Sequence, residues 1–232
     1  MAPVLMCASL RRNFPGSGRQ LEVLKGVDLL VDPAQVVAIL GPSGSGKSTL
    51  LHLLAGLDSP SAGEIFWGEF PVHAHRPSQL AWRRSRILGL IFQQHFLLED
   101  LSALDNVTLP GRIFGKLDTA WGKELLDAVG LAERSDFLPR LLSVGERQRV
   151  AVARALYSRP RVILADEPTG SLDRENAGTV YRLLVGLARD SGSAVVLVTH
   201  DQELVRDADR QLFLLDGVLR ADGSGPQLER EV

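Results

Sequence analysis

The sequence contains a glycine-rich stretch that ends in a lysine and hydroxyl residues. Its members are Gly41, Pro42, Ser43, Gly44, Ser45, Gly46, Lys47, Ser48 and Thr49. Glycines leave backbone N–H groups free to converge on phosphate oxygens, and a helix that starts directly after them adds a partial positive charge. In this pattern the lysine pairs with the β- and γ-phosphates, and the hydroxyl residue after it ligates Mg²⁺. The stretch predicts a phosphate loop that binds ATP and Mg²⁺; the alternative is a turn that only caps a helix.

Two adjacent acids follow an apolar run farther along the chain. Residues 162–165 read Val-Ile-Leu-Ala and lead directly into Asp166 and Glu167. Open α/β sheets bind ligands at the carboxyl ends of their strands, where these acids are expected. Asp166 fits a carboxylate that holds Mg²⁺ through water, and Glu167 fits a base that polarises an attacking water. Without the phosphate loop, a turn that ends a strand would explain the pair equally well.

Short apolar, β-branched runs must position these residues. Val36–Leu40, residues 162–165 and Ala194–Thr199 each read as a buried parallel strand. Residues from about 94 to 158 hold helical patterns, for example over 146–157, with hardly any strand signal. The expected fold class is therefore α/β, with a mainly parallel phosphate-loop NTPase core and an inserted helical lobe.

Two antiparallel regions flank this core. Residues 4–31, with Gly16-Ser17-Gly18 in the middle, read as an N-terminal antiparallel β region. Residues 212–219 read as a short hairpin, because Asp216-Gly217 is a strong two-residue turn signal. We expect one domain over residues 1–232, with the α/β core at about 1–93 and 159–220, the helical lobe at about 94–158 and a loose tail at 221–232.

The composition limits the class of protein and its partners. The 232 residues carry a net charge of −2 and are 45% hydrophobic, so the chain is of the globular class and no nucleic-acid partner is expected. The basic cluster Arg83, Arg84 and Arg86 is interpreted as a solvated face. The single Cys7 indicates a reducing compartment. No apolar run approaches the roughly 18 residues of a membrane-spanning helix.

Four further segments occur in an order that matches one family. Residues 142–146, Leu-Ser-Val-Gly-Glu, resemble the family signature. Gln93 lies in a segment like the Q-loop, Asp173 in one like the D-loop, and His200 in one like the switch-histidine segment. With the phosphate loop and the paired acids, they make the chain resemble the ATP-binding-cassette (ABC) ATPases over residues of about 14 to 219.

The signature-like segment consists of Ser143, Val144, Gly145 and Glu146. From the residues alone, Ser143 and Glu146 form a Ser-x-x-Glu capping box. Either this box presents a helix N-terminus to a molecule opposite it, or the segment is only the capped start of a helix. The resemblance implies a head-to-tail dimer in which Ser143 and the backbone at Gly145 meet the γ-phosphate held by a second copy. Val144 replaces the usual glycine; a positive φ would strain it by ~1–3 kcal/mol, and a negative φ would accommodate it. Likewise, Ala34-Gln35 stands where the family commonly has Gly-Glu, and this difference affects only the geometry of the turn.

The resemblance also implies roles for single residues. Gln93 is expected to sense the γ-phosphate and to ligate Mg²⁺, and His200 to contact the γ-phosphate, so that both act with Glu167 in catalysis. Asp173 is expected to report across the dimer interface, although it also suits a helix cap. Phe14 is expected to stack on adenine; the alternative is an apolar anchor before the turn that follows it.

The segments around the paired acids and the Q-loop look most like ATPases of bacterial lipoprotein release, macrolide export and cell division. The resemblance implies an ATP-binding and ATP-hydrolysing subunit that powers a separate permease and is peripheral on the cytoplasmic side of the inner membrane. One alternative is a soluble ABC ATPase of DNA repair or translation, against which the single compact cassette argues. The other is a regulator without hydrolysis, against which Glu167 and His200 argue.

Overall fold

Two β-sheets form the framework of the protein in the computed structural model, which describes residues 2–16, 20–72, 75 and 77–221. The strands are β1 (Leu5–Phe14), β2 (Leu21–Val31), β3 (Val36–Leu40), β4 (Ala62–Trp67), β5 (Phe70–Pro71), β6 (Leu88–Ile91), β7 (Val162–Asp166), β8 (Ala194–Thr199), β9 (Arg210–Leu215) and β10 (Val218–Ala221). One sheet has the spatial order β2-β1-β4-β5 and is antiparallel. The other has the order β10-β9-β3-β8-β7-β6 and is parallel except at β10.

Six α-helices of the described residues connect and cover the sheets. They are α1 (Lys47–Leu54), α2 (Pro77–Ile87), α3 (Ala103–Ile113), α4 (Thr119–Ala128), α5 (Val144–Leu156) and α6 (Arg174–Asp190). The last four begin at Ser102, Asp118, Ser143 and Asp173, whose side chains each accept a hydrogen bond from a backbone N–H of the first turn. These side chains satisfy donors that lack a partner within the helix, so the sequence marks each helix start locally.

The parallel sheet is buried between two layers. Along β3, Val37 and Ile39 pack toward α1 and the antiparallel sheet, whereas Val36, Ala38 and Leu40 pack toward the layer of α3, α5 and α6. Side chains alternate between the two faces of a strand, so a strand covered on both faces is apolar throughout. Because β3, β6, β7 and β8 are parallel, the polar residues that follow them lie together at one edge of the sheet.

The structure confirms the α/β fold expected from the sequence, including the N-terminal antiparallel region and the hairpin of β9 and β10. Asp216 and Gly217 have φ of 49° and 77°, as a tight hairpin turn requires. Residues 94–158 hold α3, α4 and α5 and no strand of the described chain. Helix α2 and the short strands β4 and β5 were not predicted. Ser17, Gly18 and tail residues 222–232 lie outside the described residues, and the division into core and lobe stays a prediction.

None of the helices in the described ranges combines the length and the apolar character needed to cross a membrane.

Candidate active site

A cavity of about 470 Å³ opens at the carboxyl ends of β3, β6, β7 and β8. Its lining residues are Val23, Ser43, Gly44, Gly46, Lys47, Ser48, Thr49, Gln93, Glu167 and His200. Nine of these ten were predicted as site residues from the sequence. They come from segments up to 157 positions apart, between Ser43 and His200, and meet because parallel strands end at the same sheet edge.

The glycines give the loop after β3 its shape. Gly44 and Gly46 have φ of 80° and 101°, the left-handed region that favours glycine, and Gly46 leads into α1. Gly41 lies so close to β9 that a Cβ there would come within 2.3 Å of the Leu214 carbonyl oxygen. A loop without side chains at these points leaves its backbone N–H groups accessible at the start of α1.

Lys47 is held inside this loop. It is only 7% exposed, and its Nζ donates to the carbonyl oxygens of Gly41 at 2.8 Å and Pro42 at 3.0 Å. The buried Oγ of Ser45 has no hydrogen-bond partner among the described residues. The loop thus holds a cation whose hydrogen-bond partners are neutral carbonyls, together with a buried hydroxyl that has unused hydrogen-bonding capacity.

Asp166 and Ser48 are in direct contact. The Ser48 hydroxyl donates to the Asp166 carboxylate over 3.0 Å. Burial raises the pKa of Asp166 above its usual value, the Ser48 hydrogen bond lowers it, and the neighbouring Glu167 charge adds to the increase. Two oxygen ligands at the edge of the cavity match the donor atoms that Mg²⁺ prefers.

Glu167 lies between two basic side chains. Both of its carboxylate oxygens are 3.1 Å from Nδ1 of His200, and one is 3.9 Å from Nζ of Lys47. Because an ionised carboxylate only accepts hydrogen bonds, Nδ1 must carry the proton of this contact. The backbone of Glu167 has a φ of 43°, which costs a residue with a side chain about 1–2 kcal/mol. Its N–H is fixed by the Val198 carbonyl at 3.0 Å.

Gln93 follows β6 and lies beside the turn that carries Glu167. A Cβ added at Gly170 would be 3.3 Å from Nε2 of Gln93, so the amide end of Gln93 lies close to the turn at Gly170. Gln93 is exposed in the cavity, while the turn at Gly170 is closed by a hydrogen bond from its N–H to the Glu167 carbonyl at 3.1 Å. The structure therefore places Gln93, Glu167 and His200 in one cavity.

Helix α5 holds the segment that follows Gln93. Nδ1 of His95 contacts the Oε1 of Gln148, a side chain that is 1% exposed. The guanidinium of Arg154 donates to the carbonyl oxygens of His95 at 2.6 Å and Phe96 at 2.7 Å. Phe96 has a φ of 45°. Three contacts from one helix thus fix this segment in a strained conformation.

The signature-like segment is outside the cavity, at the start of α5. Ser143 caps α5 and forms the predicted capping box with Glu146, whose pKa is lowered mainly by the Ser143 backbone N–H. Val144 is the first helical residue and is not among the residues with positive φ, so it is accommodated without strain. Ala34 does have a positive φ, of 59°, where the family commonly has glycine. Ser143 and Val144 are exposed, as a surface that meets a second molecule requires.

Asp173 caps α6 and is joined to the signature-like segment by Asn176. The Asn176 N–H donates to Asp173 at 3.0 Å, and its side-chain amide donates at 2.6 Å; these bonds lower the Asp173 pKa. The Asn176 side chain also lies against Gly145, where an added Cβ would be 3.4 Å from Oδ1. Asn176 could not be predicted from the sequence, because the contact depends on how α5 and α6 pack.

Two residues at the nucleotide-facing surface differ in what the sequence could predict. Val23 of β2 lines the cavity and was missed, since an apolar residue in a strand carries no local sign of a site. Phe14 was expected to stack on adenine, but it is not among the residues lining the cavity. The guanidinium of Arg12 lies 4.5 Å from the centre of the Phe14 ring. The adenine contact stays a prediction.

The residues present fit ATP and Mg²⁺. The open loop at Gly44, where no atom lies within 4 Å of an added Cβ, leaves room for phosphate oxygens beside Lys47. Ser48 and Asp166 provide hard oxygen ligands. Ser48 and Asp166 would hold Mg²⁺ here, and the ion would supply positive charge that neutralises the phosphates. This loop, cation and carboxylate pair on a parallel sheet define a phosphate-loop NTPase.

The comparisons with known proteins identify the family more closely. The ABC transporter family matches residues 24–170, and the chain belongs to that family. It is an ATPase that binds ATP and Mg²⁺.

Two curated relatives are similar over nearly the whole chain. The lipoprotein-releasing system ATP-binding protein LolD of Idiomarina loihiensis is 43% identical, with 94% of this chain and 97% of that protein covered. The protein of the same name from Bordetella pertussis is 46% identical, with 95% and 96% covered. A dimeric ATP-binding cassette solved in a post-hydrolysis state with ADP and phosphate is 33% identical, with 93% and 96% covered and a TM-score of 0.84.

Proposed function

We propose that this chain is the ATP-hydrolysing subunit of a lipoprotein-releasing transporter and that it powers a separate permease of the inner membrane. The observation that carries the proposal is the Glu167 carboxylate, held by Lys47 and His200 in a cavity formed by a phosphate loop. The similarity to LolD proteins over 94–95% of the chain supports the lipoprotein cargo. A peripheral position on the cytoplasmic side of the membrane follows from that role.

The side chains of the cavity divide the chemistry among them. Lys47 exchanges the carbonyls of the loop for phosphate oxygens, because a charged acceptor forms the stronger hydrogen bond. Glu167 accepts the proton of the attacking water, and His200 keeps the carboxylate oriented toward it through Nδ1. Ser48, Asp166 and Gln93 are the residues that hold Mg²⁺. The loop from Gly41 to Thr49 binds the phosphates.

A second copy of the chain completes the site. Ser143 and Gly145 are at a capped helix N-terminus, which attracts anions, and they do not line the cavity of their own chain. In a head-to-tail dimer they face the phosphates bound by the partner, with Val144 and Glu146 shaping the same turn. Asp173 contacts Asn176 beside Gly145 and so lies next to this surface. The cassette dimers among the similar solved structures support this arrangement.

The experiment begins with affinity purification of the tagged chain from membranes and identification of the membrane protein that co-purifies. In proteoliposomes that contain this complex, an acylated lipoprotein is expected to stimulate ATP hydrolysis and to be released from the vesicles. Glu167→Gln should remove hydrolysis by about 10²- to 10⁴-fold, the usual contribution of a general base, while ATP binding persists.

The control is Glu124→Gln, which changes an exposed acid on α4 away from the cavity and should leave hydrolysis intact. If the co-purifying complex hydrolyses ATP but a non-acylated substrate stimulates it equally, the lipoprotein assignment is wrong. If Glu167→Gln hydrolyses ATP like the wild type, the catalytic assignment is wrong.

A further inference from the structure

The Asn176 side chain lies between the two segments assigned to the dimer surface, which are the signature-like segment and the start of α6. It is the third residue of α6, and it contacts Asp173, which caps that helix, and Gly145 in the first turn of α5. The residues that line the nucleotide cavity do not include Asn176. Its contacts must therefore be explained by the groups that they hold in place.

Both carboxylate oxygens of Asp173 accept a hydrogen bond from Asn176. The Asn176 backbone N–H donates to Oδ1 at 3.0 Å, and the side-chain Nδ2 donates to Oδ2 at 2.6 Å. These two bonds are the largest causes of the lowered pKa of Asp173. A helix cap needs only the first of them, because one side-chain acceptor satisfies the backbone donor of the first turn. The second bond fixes the orientation of the carboxylate.

The other side of the Asn176 amide faces the start of α5. Because Nδ2 donates to a carboxylate, Oδ1 is the amide atom that lies toward Gly145. A Cβ added at Gly145 would be 3.4 Å from Oδ1 and 3.5 Å from Cγ of Asn176, which is ordinary van der Waals contact. Gly145 is buried, although its neighbours Ser143 and Val144 are exposed. The amide of Asn176 thus packs against the backbone of the signature-like segment.

The turns before α6 anchor these contacts to the parallel sheet. The N–H groups of Gly170 and Leu172 donate to carbonyl oxygens three residues earlier in the chain, at 3.1 and 3.0 Å. The chain between the end of β7 and Asp173 is therefore held in consecutive closed turns. Since Asp173 is fixed relative to the sheet, Asn176 fixes the backbone at Gly145 relative to the sheet as well.

We propose that Asn176 is a positioning residue of the composite nucleotide site, which consists of the phosphate loop of one copy and the start of α5 of the other. Asn176 holds Gly145 at a set distance from Asp173, so the backbone donors of α5 are in place before the second copy arrives. Donors that are already ordered lose less entropy on binding and need no rearrangement in the transition state. The proposal rests on the proposed function, because it requires the start of α5 to face the phosphates of a second copy.

Two substitutions of similar shape separate the hydrogen bond from the packing. Asn176→Leu keeps a side chain against Gly145 but removes the donor to Asp173, and kcat should fall about tenfold because the donors of α5 lose their fixed position. Asn176→Asp should lower kcat further, since it opposes two carboxylates and places a negative charge where the phosphate must approach. The Kd for ATP in EDTA should be unchanged in both. A folded Asn176→Leu variant with the kcat of the wild type would overturn the proposal.

The matched control is Thr179→Val, one turn farther along α6. It also replaces a polar side chain by an apolar one of similar shape, and it removes the hydrogen bond from the hydroxyl to the Glu175 carbonyl at 3.0 Å. Its kcat should equal that of the wild type. A kcat reduced as much as in Asn176→Leu would show that any loss of polar contacts on α6 has the same effect, which would also overturn the proposal.

Mixed dimers show on which nucleotide Asn176 acts. In a mixture of Asn176→Asp and Lys47→Ala chains, a mixed dimer has both defects in one composite site and keeps the other site intact. With random mixing, the mixture should therefore recover up to about a quarter of wild-type hydrolysis. If Asn176 served the phosphate loop of its own chain, no mixed dimer would have an intact site. A mixture that stays inactive although mixed dimers form would thus refute the proposal.

The corresponding mixture of Ser143→Arg and Lys47→Ala chains distinguishes this failure from that of the proposed function. Ser143 lies at the cap of α5 itself, so its mixture reports on the composite site without Asn176. Recovery with Ser143→Arg but not with Asn176→Asp would refute the role of Asn176 alone. If neither mixture recovered, the composite site itself would be refuted.

Discussion

At the scale of single residues, the buried carboxylate of Asp166 lowers the stability of the folded chain. The carboxyl group is 9% exposed, and burial raises its pKa above 3.8 despite the hydrogen bond from Ser48 and the charges of His52 and Lys47. Because its pKa is raised in the folded chain, the folded state binds more protons than the unfolded state as the pH rises above 3.8. Stability from this group is therefore lost with increasing pH, and at neutral pH its charge is destabilising.

The first prediction concerns the removal of that charge. Asp166→Asn should raise the melting temperature of the metal-free protein at pH 7, because the amide has no charge to desolvate and can still accept from Ser48. ATP hydrolysis should fall at least about tenfold, since a Mg²⁺ ligand is lost. Calorimetry in EDTA checks the first result and a phosphate-release assay the second. Asp127→Asn, an exposed acid on α4, is the control, and a lower melting temperature for Asp166→Asn would contradict the argument.

Local patterns explain which residues could be predicted from the sequence. The phosphate loop and the Asp166-Glu167 pair each lie within a few positions of a strand end, so their type and place were readable. The partners of Glu167 were harder to predict from the sequence, because its contacts with Lys47 and His200 span 120 and 33 positions. Val23 and Asn176 could not be predicted, because nothing in their neighbourhood marks them and only packing brings them to the site.

At the scale of elements, α5 connects two parts of the site. Its first turn carries the signature-like segment, and its middle holds the segment after Gln93 through Gln148 and Arg154. A helix transmits displacement along its length because its backbone hydrogen bonds make it stiff. We therefore expect movement of the signature-like segment to displace the backbone beside Gln93.

The second prediction tests this connection at His95. His95→Ala removes the contact with Gln148, so kcat should fall about tenfold and more Mg²⁺ should be needed for half-maximal activity, with ATP binding in EDTA unchanged. His95→Asn should restore much of both, because the asparagine amide places a donor near the position of Nδ1. Hydrogen exchange over residues 92–98 of the free protein should rise in the alanine variant only.

The control for His95 is Tyr181→Phe on α6, which removes a 2.8 Å hydrogen bond to Asp207 in the turn before β9. It should lower stability without changing the Mg²⁺ requirement. Equal effects of the alanine and asparagine variants on the Mg²⁺ requirement would contradict a positioning role for Nδ1.

Some helices and strands could be predicted from the sequence and others could not. β3, β7 and β8 were predicted because strands buried on both faces are apolar throughout. β4 was missed because its six residues begin with Ala62, Gly63 and Glu64 and are mostly outside the core. Gly63 has a φ of 89° and lies where a Cβ would be 2.5 Å from the Ser9 carbonyl oxygen. That close approach to β1 is a tertiary requirement, which a glycine in a short polar run does not reveal.

At the scale of the whole molecule, each chain contributes one half to each of two different nucleotide sites. The phosphate loop and Glu167 line one cavity, while Ser143 and Gly145 are at the start of α5, outside it. A symmetric dimer of identical chains places each half opposite its complement, so two composite sites form at once. A defect in the loop of one chain and a defect in the signature-like segment of the other then fall in the same composite site.

The last prediction follows from that symmetry. Lys47→Ala and Ser143→Arg chains should each be inactive alone, since every composite site of either homodimer is defective. Random mixing makes half of the dimers mixed, each with one intact site, so the mixture should recover up to about a quarter of wild-type ATP hydrolysis. The control mixes Lys47→Ala with the double variant Lys47→Ala/Ser143→Arg, in which no intact site can form. A mixture of the single variants that stays as inactive as this control, although mixed dimers are seen by native mass spectrometry, would show that the two halves do not meet across the dimer.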